Sequence, residues 1–279
     1  MPHLTRAEPF VGDGLAWTIH RERVLLAGWG RAILLQLAHP LVARGVAEHS
    51  RFSHEPWAWV RRLDRTVSAM LALTFGPAES AHAAAARING IHDRVHGRLD
   101  HGAGGLSAGA AYSAHDPALL TWVHATLVDS FVLTYRYFVG PLESAQADRY
   151  CAEASGIEAM LEIPAGRLPR TEAELGSYLD GMLASGAIEV TDTARGLARQ
   201  VLEPPVPWAL RPLLRPLLRV AALPAIGLLP APIREAYGLP WSAGRERALQ
   251  VMAAAARGVL PAVPPRLRYW PAARRAVRR

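Results

Sequence analysis

The sequence predicts an all-α fold, a single globular domain built from many helices, on the basis of three observations. Of the 279 residues, 51% are apolar, which is enough for a sizeable buried core. Apolar side chains recur at the three- or four-residue spacing of an α-helix through nearly the whole chain. No run alternates over enough residues to require a β-strand, and no internal repeat is visible.

Prolines and the apolar spacing divide the chain into ten expected helices. They cover residues 24–39, 41–52, 55–76, 77–97, 118–139, 143–162, 171–186, 190–203, 208–229 and 243–258. Pro40 separates the first two helices, because proline disfavours continuation of a helix. Pro56 and Pro77 instead stand in first turns, where a proline is well tolerated.

Two of the later helices have recognisable N-termini. Residues 101–111 form the most glycine-rich stretch and are expected to be a loop. After this loop, Asp116 and Pro117 combine an N-cap with a first-turn proline. Thr171 and Glu174 have the spacing of a capping box for the helix over 171–186.

Charge and cysteine content exclude several classes of protein. All 31 basic residues are arginine, the net charge is +7, and no basic patch interleaved with aromatic residues supports nucleic-acid binding. The single cysteine, Cys151, excludes an intramolecular disulfide framework and a thiolate metal cluster. The expected domain covers residues 1–279, with 1–14 and about 270–279 as peripheral tails. The arginine-rich end is interpreted as solvated, with contact to anionic lipid or nucleic acid as the alternative.

The sequence predicts a cytoplasmic protein without a transmembrane segment. The N-terminus lacks the basic-then-apolar pattern of a signal peptide. Apolar stretches near residues 24–47 and 220–233 are interrupted by polar or charged residues or by prolines, so neither is a span of about 20 apolar residues. Peripheral contact with a membrane stays open as an alternative.

Eleven histidines direct attention to imidazole chemistry. His92 and His96 are four residues apart, the spacing of a two-histidine metal site on one helix. Asp93 stands where the general base of a zincin would be, but no third ligand is evident. The alternative is that one imidazole faces the core, satisfied by a backbone carbonyl, while the other faces water.

Local motifs for several other chemistries are missing from the sequence. It contains no Walker loop and no dinucleotide-binding fingerprint, and its one Gly-x-Ser-x-Gly match, Gly105–Gly109, falls in the stretch expected to be a glycine-rich loop. A di-iron carboxylate bundle needs Glu-x-x-His pairs on two helices, and the sequence contains a single such pair, Glu79 with His82, which argues against that class.

His124 stands in the middle of an apolar helical face, one turn after Leu120. Two interpretations fit: a core histidine with one hydrogen bond, or a neutral imidazole presented to haem iron in a dry pocket. Haem propionates would need cations, and Arg62, Arg65 and Thr66 share one face of one helix. The alternative for the arginines is a solvated helix face paired with neighbouring carboxylates.

Several segments carry a family resemblance when they are taken together. They are Leu35–Pro40, Gly45–Phe52, Arg62–Thr66 with Phe75-Gly76, His92–Gly97, Tyr112–Pro117, Trp122–Ala125, Leu228–Pro230 and Arg234–Gly238. In this order they resemble the haem-b oxygenases that include the rubber-cleaving latex-clearing proteins and the MpaB-type prenyl-chain oxygenases. The similarity runs from about Leu15 to the arginine-rich C-terminus and is closer to the bacterial MpaB-like branch than to the rubber oxygenases.

The resemblance implies an all-α fold around a buried haem b, with His124 as the axial ligand of the iron. Arg62 and Thr66 correspond to the arginine and threonine of the family's Arg-x-x-(Lys)-Thr motif near the haem. Arg65 falls where rubber oxygenases can carry a lysine that coordinates the far side of the iron. Because arginine does not readily lose its proton, this departure argues against such a second ligand. No glutamate could be matched to the distal catalytic glutamate of the rubber oxygenases.

Three further histidines are candidates around the predicted haem. His39 and His49 are candidates for the pocket wall, with hydrogen bonding at helix ends as the alternative. His92 is the next candidate for the iron ligand after His124.

The predicted function is a haem-b-dependent oxygenase that uses molecular oxygen on a small apolar, isoprenoid-like substrate. In this role Arg62, Arg65 and Thr66 would position the propionates or polarise the bound oxygen. An electron donor is a further candidate partner. One alternative is a non-catalytic helical protein that binds haem or an apolar ligand. Another is a two-histidine metal hydrolase built on His92 and His96.

Overall fold

The computed structural model of the chain describes residues 14–49 and 58–276, and for residues 58, 59 and 62 it describes the backbone alone. The fold is one mostly helical domain in which 69% of the structure is helical, with two short strands. The all-α prediction is therefore confirmed. The helix boundaries predicted between residues 50 and 57, and nearly all of the N-terminal tail over 1–14, lie outside the described residues.

Fifteen helices and one β-hairpin follow one another in the described ranges. In chain order they are α1 Leu15–His20, α2 Leu26–Leu37, α3 Pro40–His49, α4 Ala58–Phe75, α5 Ala78–His92, β1 His96–Arg98, β2 Ala111–Ser113, α6 Pro117–Phe138, α7 Ser144–Ser155, α8 Glu172–Ala184, α9 Asp192–Leu202, α10 Arg211–Ala221, α11 Leu223–Gly227, α12 Ala231–Ala236, α13 Ala243–Val259, α14 Pro265–Arg268 and α15 Pro271–Ala276. Short 3-10 turns precede α2 and α10 and follow α13.

The two N-termini singled out in the sequence form as capped helix ends. The carboxylate of Asp116 accepts a 2.8 Å hydrogen bond from the N–H of Ala118 and caps α6. Thr171 caps α8 by accepting a 3.1 Å bond from the N–H of Glu174. The Glu174 carboxylate, however, accepts from the N–H of Arg170, so one half of the predicted capping box forms.

The predicted helix over residues 77–97 is wrong at its C-terminal end. α5 stops at His92, and β1 then pairs antiparallel with β2. The hairpin is anchored by burial of Tyr112 and Leu99 in an apolar cluster that includes Leu41 of α3. This contact is made between segments distant in sequence, so local helical spacing does not reveal it.

The predicted helix over 143–162 ends early, and the predicted helix over 208–229 is divided into two. α7 ends early and is followed by turns in which Glu162 has a φ of 58°. The second segment begins with a 3-10 turn and then breaks between α10 and α11, just before Pro224.

The long helix α6 is the centre of the fold, and α2 packs along it more extensively than any other described helix pair. Gly28 allows the close approach, because a Cβ there would collide with the hydroxyl of Thr134 and lie 3.0 Å from the carbonyl oxygen of Ser130. The buried guanidinium of Arg31 on α2 pairs with Asp129 on α6 at 2.6 Å. It also donates a 2.7 Å hydrogen bond to the Ser130 hydroxyl.

We expect Gly28→Ala to lower the free energy of unfolding by about 1–3 kcal/mol, because α2 and α6 must move apart to relieve the overlap. Gly196→Ala on α9 is the matched control, since no atom lies within 4 Å of a Cβ at that position. There the change should be neutral or slightly stabilising through helix propensity. Urea unfolding followed by circular dichroism measures both variants, and equal effects would contradict the close contact.

Among the described residues, α6 is the helix whose length and composition would suffice to cross a bilayer, with a hydropathy of 1.2 in its most apolar window. Of that window 61% is buried inside the protein, a pattern that core helices also show. The segment over 23–37 and α3 meet the same criterion only as a pair, and they are bent by 105°.

The described C-terminal residues pack against the domain, whereas the sequence predicts a peripheral tail from about residue 270. α15 lies against α4, Ala273 is buried, and Trp270 packs on the largest core cluster. The N–H of Trp270 also donates a 3.1 Å bond to the carbonyl of Arg21. Residues 270–276 are therefore part of the domain.

Candidate functional site

His124 lies in the middle of α6, on a face directed into the protein. Leu120 one turn before it and Val128 one turn after it are both buried. These two neighbours belong to different apolar clusters. The imidazole of His124 therefore lies where the two clusters meet.

The imidazole of His124 is held through one nitrogen and leaves the other unpaired. The backbone of Ala154 on α7 hydrogen-bonds the ring. Nε2 is buried and has no hydrogen-bond partner among the described residues. We infer that Nδ1 is the nitrogen directed at the Ala154 carbonyl, because Nε2 has no partner. A buried polar atom without a partner costs about 1–3 kcal/mol, so a ligand at Nε2 would relieve this cost.

The electrostatic surroundings keep His124 neutral. Burial lowers the pKa of His124 to about 4, and the nearby Glu158 opposes this shift only in part. At neutral pH the ring is therefore uncharged, which is the form that binds metal ions and haem iron. A neutral ring with one nitrogen fixed and the other available has the chemistry of an axial ligand.

A buried histidine lies close to His124, whose own side chain is partly buried with its Nε2 enclosed. His20 of α1 forms hydrogen bonds with the Thr74 hydroxyl on α4 at 2.9 Å and with the Tyr150 hydroxyl on α7 at 2.8 Å. Its ring packs edge-on against Phe131 of α6, with centroids 5.2 Å apart. Burial, with a smaller effect of His124, lowers the pKa of His20 to about 3. His20 thus joins four helices around His124. Because both of its ring nitrogens are hydrogen-bonded, it supports the site and is not a candidate ligand.

The predicted propionate-binding residues lie on α4. Thr66, Met70 and Leu73 form one row on this helix. Met70 and Leu73 belong to the two apolar clusters that meet at the imidazole, and Thr66 stands at the outer end of the row. Arg65 and Thr66 are exposed, and the described backbone places Arg62 one turn before Thr66.

His39 occupies the junction between α2 and α3, away from the middle of α6. Its carbonyl accepts a 3.0 Å bond from the N–H of Ala43, and its Nδ1 accepts a 3.3 Å bond from the N–H of Leu41. Burial lowers the pKa of His39, and Asp116 opposes this shift. Since Asp116 precedes His124 by about 12 Å along the helix axis, these contacts favour the helix-end alternative for His39.

His49 lies at the exposed C-terminal end of α3. Its Nε2 is 3.2 Å from the carbonyl oxygen of His96 and 3.3 Å from the hydroxyl of Tyr112. Burial and a hydrogen bond to Glu48 raise the pKa of Tyr112. This polar cluster fastens α3 to the hairpin, so the contacts of His49 also favour the structural alternative.

The two-histidine metal site predicted at His92 and His96 does not form. α5 ends at His92 and His96 lies in β1, so the two imidazoles do not share a helix face. His92 packs edge-on against His115, which pairs with Asp93 at 2.8 Å. Within the described ranges no three or more His, Cys, Asp or Glu residues are grouped to hold a metal ion. His92 and His96 therefore do not have the geometry that the metal-hydrolase alternative requires.

Two buried polar residues near His124 have no signature in the sequence. His20 finds its partners 54 and 130 residues later in the chain. Glu158 follows α7 and accepts bonds from the N–H groups of Leu168 at 2.7 Å and Gly166 at 3.0 Å. Burial acts to raise the pKa of Glu158, but these hydrogen bonds hold it below its usual range. Only the tertiary fold brings both residues to His124.

We expect the stability of the protein to fall below about pH 6.5. The folded pKa values of His20, about 3, and His124, about 4, lie below the value of 6.5 for a solvent-exposed imidazole, so the unfolded chain binds more protons between these limits. The contribution of these neutral histidines to the free energy of unfolding is complete above pH 6.5, and it is lost as the pH falls toward 4 for His124 and toward 3 for His20. At pH 5 each residue would have lost about 2 kcal/mol.

Urea unfolding at pH 7, 6 and 5 measures this effect. His20→Gln should flatten the dependence of stability on pH, and His124→Gln should do the same. His82→Gln is the matched control, because His82 is exposed on α5, and it should leave the dependence unchanged. If neither His20→Gln nor His124→Gln altered the dependence of stability on pH, the assignment of both histidines as neutral would be contradicted.

Comparison with known proteins places the chain in a family. The family model described as the catalytic domain of ER-bound oxygenase mpaB/B' and rubber oxygenase matches residues 17–258. No curated protein and no solved structure gives a significant match. The matched range contains His20, His124 and the described part of α4, so it contains the whole candidate site. The resemblance predicted from the sequence is confirmed, and the chain belongs to the mpaB/rubber oxygenase catalytic-domain family, whose members' name indicates oxygenase activity.

Proposed function

We propose that the protein is a haem-b-dependent oxygenase in which His124 would bind the haem iron. The observation that carries the proposal is the buried Nε2 of His124, which has no hydrogen-bond partner in the described part of the chain. Nδ1 of the same ring is fixed by Ala154. An axial imidazole needs one nitrogen held and the other available. When bound, haem supplies the redox-active iron that reaction with molecular oxygen requires.

Residues around His124 would orient the imidazole and keep water away from it. Ala154 holds the ring in one tautomer, with the lone pair on Nε2. The hydrogen bonds of His20 to Thr74 and Tyr150 fix the helices that surround the ring. The apolar clusters on either side of the imidazole exclude water, which favours the uncharged form.

Arg62, Arg65 and Thr66 would bind the polar edge of the cofactor. They lie at the outer end of the α4 row that leads to His124, and Arg65 and Thr66 are exposed. Guanidinium groups bind carboxylates through paired hydrogen bonds. This arrangement suits a cofactor whose carboxylates face solvent while its apolar body lies deeper.

The proposed substrate is a small apolar molecule with a carbon–carbon double bond, of isoprenoid type, and molecular oxygen is the proposed co-substrate. Family membership supports the use of oxygen. The apolar clusters that flank His124 support an apolar substrate. An electron donor is a further proposed partner.

Oxygen uptake by the haem-reconstituted protein tests this function. With a short polyprenyl substrate we expect oxygen consumption and carbonyl products, because cleavage of one double bond by one oxygen molecule yields two carbonyl groups. The saturated analogue of the same length is the matched control and should give neither. Equal uptake with both compounds would contradict the proposed reaction. Haem binding without uptake would favour the non-catalytic alternative.

A further inference from the structure

The helix α10 presents an exposed surface in which apolar and basic residues are segregated. At 100° per residue, Leu214 and Leu218 lie on the side that faces the domain, and both are partly buried. Leu213 and Leu217 lie on another side and are 66% and 60% exposed. Trp208, in the 3-10 turn before the helix, is 83% exposed.

The basic residues of α10 form a second row along the helix. Arg211, Arg215 and Arg219 follow one another at four-residue spacing, on the opposite flank from the exposed leucines. Together with Pro212 and Pro216 they line a shallow open groove. Arg215 has one acidic neighbour, Glu203 at 3.6 Å.

The charge around α10 is mostly positive, with Glu203 as the acidic neighbour of Arg215. Residues 204–234 contain four arginines and no aspartate or glutamate. A water-exposed helix gains nothing from large apolar side chains, and contiguous exposed apolar surface marks an interaction site. A row of arginines on one flank and an apolar row on the other, with an exposed tryptophan at the helix start, suit the interface of an anionic bilayer.

We propose that α10 docks this protein onto the surface of anionic membranes. Leu213 and Leu217 enter the acyl boundary, Trp208 lies at the level of the headgroups, and the arginine row binds lipid phosphates. α10 lies parallel to the bilayer and does not cross it, because its 11 residues are too few to span the hydrocarbon core. This inference does not depend on haem binding.

Co-sedimentation of the full-length protein with vesicles tests the proposal. We expect binding to phosphatidylcholine vesicles that contain phosphatidylglycerol, weaker binding to phosphatidylcholine alone, and loss of binding as salt is raised. Replacing Arg211, Arg215 and Arg219 together by glutamine should weaken binding about 100-fold. The double variant Leu213→Gln/Leu217→Gln should weaken it at least about ten-fold.

The matched control removes the same charge elsewhere. Arg87, Arg94 and Arg167 are exposed on other parts of the surface, and replacing all three by glutamine should change binding no more than about two-fold if α10 is the docking element. Circular dichroism verifies that each variant is folded. The indole of Trp208 should also be quenched by brominated lipid, and Trp208→Phe should reduce this quenching.

Three results would overturn the proposal. The first is a wild-type protein that does not sediment with anionic vesicles. The second is α10 variants that bind as the wild type does, which would place membrane contact on another surface. The third is a dimer that Leu213→Gln/Leu217→Gln converts to monomer, because the apolar row would then be covered by a second copy of the chain.

Discussion

His124→Ala is expected to reduce the affinity for haem by about 100-fold or more. Removing a residue that hydrogen-bonds a metal ligand already lowers metal affinity by about 10–100-fold, and this substitution removes the proposed ligand itself. Titration of the variant with haem should therefore give little Soret absorbance where the wild type gives one equivalent. Oxygen uptake should fall to the background given by free haem.

The design of this experiment separates ligand loss from unfolding. His82→Ala is the control, because His82 lies exposed on α5 and bonds only the carbonyl of Ala78, one turn before it, among its described hydrogen bonds. The cavity left by His124→Ala should accept added imidazole, and recovery of the Soret band would show that the variant is folded. If the variant binds haem with an unchanged spectrum, the ligand lies elsewhere, and His92 is the next residue to replace.

Arg268→Met is expected to lower the free energy of unfolding by about 3–5 kcal/mol. Glu22 is 1% exposed and accepts bonds of 2.6–3.0 Å from the guanidinium of Arg268 at both carboxylate oxygens. Removing Arg268 leaves this buried charge without its partner. The loss is large because the pair joins the start of the chain to its C-terminal region, where Trp270 bonds the carbonyl of Arg21.

Two further variants make the stability experiment decisive. Arg266→Met removes an exposed arginine two residues away and should change stability by no more than about 0.5 kcal/mol. The double variant Glu22→Leu/Arg268→Met removes both charges and should recover most of the loss. Urea unfolding measures all three. A single Arg268→Met variant as stable as Arg266→Met would contradict the buried pair.

Local sequence signals account for most of the fold. The apolar spacing and the caps at Asp116 and Thr171 act within a few residues, so α6 and α8 begin where they are predicted. The hairpin was not predicted because Tyr112 and Leu99 are buried by residues far away in the chain. The same reason explains why Trp270 packs against the core although this part of the sequence is rich in arginine.

The candidate site was only partly predictable for a related reason. The sequence places His124 on an apolar helical face, but a core histidine and a ligand have the same spacing there. The unpaired Nε2 and the contact of the ring with the Ala154 carbonyl distinguish these interpretations, and both depend on how α7 packs beside α6. His20 could not have been selected, because its partners Thr74 and Tyr150 belong to other helices.

The central claim, that the imidazole of His124 holds the haem iron, is tested most directly by the iron–nitrogen stretching band in resonance Raman spectra. The measurement compares wild type with His124→Gly, both reconstituted with haem and supplied with imidazole of natural or ¹⁵N composition. We expect the band of His124→Gly to appear only with added imidazole and to shift to lower frequency with the ¹⁵N compound, while the wild-type band does not respond. A band that persists in His124→Gly without imidazole would contradict the assignment.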